Sequence, residues 1–92
     1  MRLVWLQRAG SDLETISNET ARENPAAANA VELRIITSID HLPQFPQAGR
    51  AGRVKDTREV AVVDYPYMVV YRVKGDDVQV LTVRHTSRQW PE

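Results

Sequence analysis

Nine side chains hold most of the reactive chemistry this sequence offers. Arg50, Arg53, Lys55 and Arg58 fall in one short segment, Tyr71 lies in an apolar run, and Arg84, His85, Arg88 and Trp90 crowd the C-terminal end. Guanidinium and ammonium groups beside an imidazole can hold an anion, stabilise negative charge as it develops, or relay a proton. Other routes are closed. The chain has no Gly-rich phosphate loop, no H-E-x-x-H and no G-x-S-x-G. Cysteine is absent, which removes disulfides, thiolate nucleophiles and Cys-based metal sites and fits a reducing compartment. His41 and His85 are too few and too scattered for a His metal site. Neither a metal nor a cofactor is expected.

The elements that must position these groups belong to one small domain spanning 1–92. A chain of this size buries roughly 60–70% of its extended surface, enough for a single two-layer core. No apolar run approaches the ~20 residues of a membrane span, and the opening Met1–Leu6 is far too short for a signal peptide. A soluble, cytoplasmic protein with no membrane partner is expected. Formal net charge is zero, but residues 1–46 carry −2 and residues 47–92 carry +2. A neutral balance argues against bulk electrostatic nucleic-acid binding. The local excess around Arg50–Arg58 and Arg84–Arg88 suits an anion or an acidic partner, although such charges most often only solvate a loop.

The last third of the chain sets the architecture. Runs of β-branched and aromatic residues predict antiparallel strands over Thr57–Val63, Tyr67–Lys74 and Asp77–His85. Asp64-Tyr65-Pro66 and Gly75-Asp76 supply the turns between them. Val4-Trp5-Leu6 suits a further strand whose docking position the sequence leaves open. Leu6, Ala9, Leu13, Ile16 and Thr20 then recur at helical spacing, with Asp12 and Glu14 near the favourable N-terminal end. Asn24-Pro25 stops that helix and starts a second, with Asn as N-cap and Pro at the first position. Ala27, Val31, Ile35, Ile39 and Leu42 carry the second stripe, which predicts a helix ending near Leu42. Residues 43–56 read as a surface loop. The order β-α-α-β-β-β implies a two-layer α+β fold, an αα-hairpin packed on a mainly antiparallel sheet.

Strand alternation puts Leu81, Val83 and His85 on one face of the last strand and Val80, Thr82 and Arg84 on the other. A histidine at the end of an apolar face is more often a core-edge residue than a catalyst. Tyr67, Val69, Tyr71 and Val73 share a face of the preceding strand, where Tyr71 reads as core packing. Trp90 is expected to anchor the tail, and Trp5 to join the core.

The order and spacing of these motifs resemble the RelE/ParE superfamily of type II toxin–antitoxin toxins. The matching residues are Ala9, Asp12-Leu13 and Ile16, then Asn24-Pro25 with Ala27–Ala30, then Leu42, Phe45-Pro46, Gly49-Arg50 and Gly52-Arg53-Val54. Thr57-Arg58-Glu59-Val60, Pro66–Val73, His85, Arg88 and Trp90-Pro91 complete the set, which spans essentially the whole chain. The resemblance implies a protein that inhibits growth of its own cell unless a small cognate antitoxin binds it in a hetero-oligomer. RelE-like members are ribosome-dependent mRNA endonucleases that use basic residues around the sheet; here those would be Arg58, Arg84, His85 and Arg88. ParE-like members, associated with plasmid stabilisation, are not nucleases but block DNA gyrase. The nucleases typically carry an Arg directly after the aromatic-type residue that opens the central strand, where this chain has Tyr67-Met68. Met68 therefore favours the gyrase-directed branch, with the ribosome and mRNA as the alternative partners. Arg50, Arg53, Lys55, Arg58, Arg88 and Trp90 are the residues expected to meet a partner.

Overall fold

A computed structural model describes residues 1–91. Strand β1 (Arg2–Trp5) runs into helix α1 (Gln7–Glu23) and then helix α2 (Pro25–Thr37). Strands β2 (Arg50–Ala51), β3 (Arg58–Ala61), β4 (Tyr67–Lys74) and β5 (Asp77–His85) follow. They form one sheet in the order β1-β5-β4-β3-β2. Every pairing is antiparallel except β1 on β5, where Arg2 lies opposite Asp77 and Trp5 opposite Val80. The α+β hairpin-on-sheet architecture expected from the sequence is the observed one.

Local chemistry explains the helical hairpin. Asn24 leaves the helical region, and its side-chain Oδ1 accepts from the N–H groups of Ala26 and Ala27. Pro25 occupies the first helical position, where its missing N–H costs nothing. Two donors otherwise orphaned at the start of α2 are thus satisfied. An Asn24→Ala substitution should lower stability by about 1 kcal/mol, read as a shift of the urea midpoint at constant m-value. An unchanged midpoint would show that Pro25 alone sets the helix start.

Helix α2 stops at Thr37, five residues short of the predicted end. The Ser38 hydroxyl bonds the Ile35 carbonyl and its N–H reaches Arg34, after which the chain continues in tight turns. Ile39 and Leu42 remain fully buried all the same. The apolar stripe persists while the helical hydrogen-bond ladder does not. In α1, Asp12 and Glu14 fall beyond the first turn, which holds no acid. The loop over 43–56 contains the two-residue strand β2, and β3 is shorter than its apolar run.

Ala9 and Ile16 of α1, Val31 and Ile35 of α2, and Val69, Tyr71, Val78, Val80 and Val83 of the sheet share one core. Trp5 packs against it, half-buried. The register shift between Val70 and Tyr71 sets Thr82 opposite Val70 but Val80 opposite Tyr71. Leu81 is the extra residue of a bulge, and alternation along β5 changes phase there. Val83 shares its face with Val80 and Val78 rather than with Leu81, so the simple alternation expected along this strand fails at one residue.

Candidate functional site

Residues paired directly across an antiparallel ladder project on the same face. Tyr67 and His85 are such a pair on the helix-covered side, with their rings edge to face at 5.4 Å. Beside them a cleft of about 130 Å³ opens between α1 and the end of β5, lined among others by Glu19, Tyr67, His85 and Arg88, with Arg84 at its rim. The Ser87 N–H donates to His85 Nδ1 at 3.1 Å, and Ser87 Oγ lies 2.7 Å from the same atom. A backbone N–H can only donate, so Nδ1 accepts and the neutral ring carries its proton on Nε2. Burial and the nearby Glu19 carboxylate raise the Tyr67 hydroxyl above its ordinary pKa, while Arg88 opposes them. Tyr67 therefore stays protonated at neutral pH and acts as a hydrogen-bond donor rather than a base.

Arg58 stands apart from this cleft. It pairs with Tyr71, whereas His85 pairs with Tyr67, four residues away along β4. That separation is about 13 Å along the strand. The Arg58 Nη1 donates to the carbonyls of Gly49 and Gln47, at 2.8 and 3.3 Å. Of the four residues that a nuclease would use, Arg84, His85 and Arg88 meet at the cleft and Arg58 does not. Arg84, opposite Met68, belongs to the other face of the sheet.

That outer face also gathers Arg50, Arg53 and Trp90. Glu59, 3% exposed, accepts from Arg50 Nη2 at 3.1 Å and from the Arg53 N–H at 3.2 Å. One side-chain and one backbone donor on a single buried carboxylate tie the short β2 edge to β3. The Arg53 guanidinium reaches the Trp90 carbonyl, and the Trp90 ring lies 5.6 Å from Arg8 and 5.4 Å from Arg84. These distances are within cation–π range. The two basic stretches thus meet at Trp90, Arg53 at its carbonyl and Arg84 at its ring, across 37 residues of sequence. Lys55 and Arg88 are exposed.

Two contacts escaped the sequence. Asp12 Oδ2 accepts from the Thr82 hydroxyl and from the Val83 N–H, joining α1 to β5. Arg8, at the start of the same helix, faces Trp90. Neither has a local motif, and Asp12 lies 70 residues from its Thr82 partner. Among the described residues no group of three His, Asp or Glu side chains could hold a metal ion. Nor, among them, is any helix long and apolar enough to cross a membrane.

Comparison with known proteins agrees with this frame. The sequence model of the ParE toxin of the type II toxin–antitoxin system parDE matches residues 3–90. A Sinorhizobium fredii protein described as a candidate toxin, Y4kP, is 42% identical over 99% of this chain and 94% of its own. The Caulobacter vibrioides toxin RelE2 is 34% identical over 95% of this chain and 97% of its own. A chain from the chromosomal ParDE toxin–antitoxin system of P. aeruginosa superimposes with a TM-score of 0.88 at 27% identity, covering 95% of this chain and 97% of that one. The Helicobacter pylori protein HP0894, at 22% identity and a TM-score of 0.53, shares the fold. The chain belongs to the ParE toxin family of type II toxin–antitoxin systems, within the RelE/ParE superfamily.

Proposed function

We propose that this toxin acts in the cytoplasm by blocking DNA gyrase and is neutralised by a small cognate antitoxin. The observation that carries the choice of target is Met68. It is 5% exposed and lies between Ala61 and Arg84 on the outer face of the sheet. In the nucleases that this chain resembles, an Arg stands at that position. Loss of one such charge-stabilising donor costs about 3 kcal/mol of transition-state binding. Arg58 supports the same reading, because its guanidinium is committed to loop carbonyls and its partner on β4 lies about 13 Å along the strand from that of His85. The second reading, a ribosome-dependent mRNA endonuclease, draws on the cleft where Tyr67, His85 and Arg88 converge.

One assay pair separates them. Purified toxin should inhibit gyrase supercoiling and leave mRNA on programmed ribosomes intact; full supercoiling at saturating toxin with A-site cleavage would reverse the assignment. The antitoxin contact draws on the basic set of Arg50, Arg53, Lys55, Arg58, Arg88 and Trp90. Arg50, Arg53, Arg58 and Trp90 also hold the toxin's own loops and tail, so Lys55 and Arg88 are the side chains to test. Added antitoxin should restore supercoiling, and a Lys55→Glu, Arg88→Glu toxin should need more of it. Equal antitoxin demand would remove those two residues from the interface.

A further inference from the structure

The outer face of the sheet is buried although both helices lie on the other one. Ala9, Ile16, Val31 and Ile35 share their core with Val69 and Tyr71. Met68 and Val70 alternate with those strand residues and point outward, yet they are 5% and 0% exposed. The chain's own tail, residues 86–91, is anchored across them. The Gln89 carbonyl accepts from Arg84 Nη2 of β5 at 3.4 Å, and the Trp90 carbonyl accepts from Arg53 Nη1, just beyond β2. Met68 lies between these anchors, paired with Arg84 on one side and Ala61 on the other.

This strap leaves the sheet through a turn that depends on the state of His85. The Ser87 N–H donates to His85 Nδ1 at 3.1 Å, and the Arg88 N–H donates to the His85 carbonyl at 3.0 Å. The first bond exists only while Nδ1 carries no proton. A protonated ring sets N–H against N–H there and keeps only the Ser87 Oγ, 2.7 Å away, as an acceptor. The other titratable and charged groups around the ring are Asp12 and Glu19 of α1, Tyr67 of β4, and Arg84 and Arg88. Two carboxylates offset two guanidiniums and Tyr67 is a neutral donor, so the Ser87 bond decides which ring the closed turn accepts.

We propose that residues 86–91 form a pH-sensitive strap over the outer face, held closed by neutral His85 and loosened when the ring is protonated. The closed strap binds one proton fewer than the open one, so acid opens it and base closes it. Histidine is the side chain that ordinarily changes charge across this range. The device does not depend on whether gyrase is the target.

The chain has no cysteine, so Met68→Cys places a single reporter thiol beneath the strap. Its rate of reaction with dithiodipyridine is divided by that of Lys55→Cys, an exposed position, at the same pH and well below the melting transition. This ratio cancels the pH dependence of the reagent. Between about pH 8 and about pH 5 it should rise about fivefold, the change expected from losing one hydrogen bond. Adding His85→Asn should hold the ratio low at both pH values, since an Asn oxygen accepts from the N–H two residues on without titrating. Adding His85→Phe, which keeps a ring but no acceptor, should hold it high at both. Ser87→Pro removes the donor outside the sheet and should do the same without disturbing the core. The proposal falls if the ratio of the Met68→Cys protein is the same at both pH values. It falls equally if His85→Asn shows the same rise, which would assign the effect to Asp12 or Glu19, or if Ser87→Pro stays as protected as the parent at the higher pH.

Discussion

Replacing Tyr71 by alanine should destabilise the domain by about 3–5 kcal/mol, the cost of truncating a fully buried aromatic residue. For a domain of this size that lowers the melting temperature by roughly 15–30 °C. Tyr71→Phe isolates the hydroxyl, which donates to the Pro46 carbonyl at 2.7 Å and accepts from the Gly49 N–H at 2.9 Å. The phenylalanine leaves both groups without their partner, at about 1–3 kcal/mol for each that stays dry. The ring also decides what can stand at 49. A Cβ added to Gly49 would come within 2.7 Å of the Tyr71 ring and hydroxyl and 3.0 Å of the Glu59 carbonyl. Because Tyr71 has no free volume to retreat into, Gly49→Ala should cost about 1–3 kcal/mol. Thermal melts of the three variants check the ranking. A Tyr71→Phe protein as stable as the parent would mean that water replaces the hydroxyl and that the loop over 46–49 is not held by it.

Tyr71 also marks where the sequence stops being informative. Its place in the core follows from alternation along Tyr67, Val69, Tyr71 and Val73, a local pattern with a period of two. Its tie to Pro46 and Gly49 joins residues 25 and 22 positions apart, and no local pattern encodes that. The same division runs through the molecule. Strands β4 and β5, the capped αα-hairpin and the end of α1 are written in periodicity and in Asn24-Pro25. The parallel docking of β1, the two-residue β2 and the bulge at Leu81 depend on tertiary partners and were not legible. At the cleft, His85 and Arg88 were visible as residue types near the end of a strand. The distance of Arg58 from them was not, because it depends on which β4 residue each neighbour pairs with. Glu59 had no signal beyond a strand position, yet it is the buried carboxylate that organises Arg50 and the Arg53 backbone.

Asp12→Ala should cost about 3 kcal/mol, and the loss should centre on the half of β5 that carries Arg84 and His85. Strand β1 ends at Trp5, and the Leu6 N–H makes the last ladder bond on that side, to the Val80 carbonyl. Beyond it β5 continues to His85 paired with β4 on one side only, with no described strand on the β1 side. The Asp12 carboxylate takes the place of a neighbouring strand by accepting the Val83 N–H and the fully buried Thr82 hydroxyl. Hydrogen bonds to a charged acceptor contribute about 1.5–3 kcal/mol each, and removing the acceptor strands two donors in a site with little access to water. Asp12→Asn retains one carbonyl oxygen and should lose less, about 1 kcal/mol, the difference between a charged and a neutral acceptor. A structural role at this edge has a local signature. In Asp12→Ala the Val83 amide should exchange far faster than global stability dictates, while amides of the β3–β4 ladder follow the global change. If Asp12→Ala melted with the parent protein, or if Val83 kept its protection, the carboxylate would not be what holds this strand end. The cleft at Tyr67 and His85 would then owe its shape to the Val69–Val83 ladder alone.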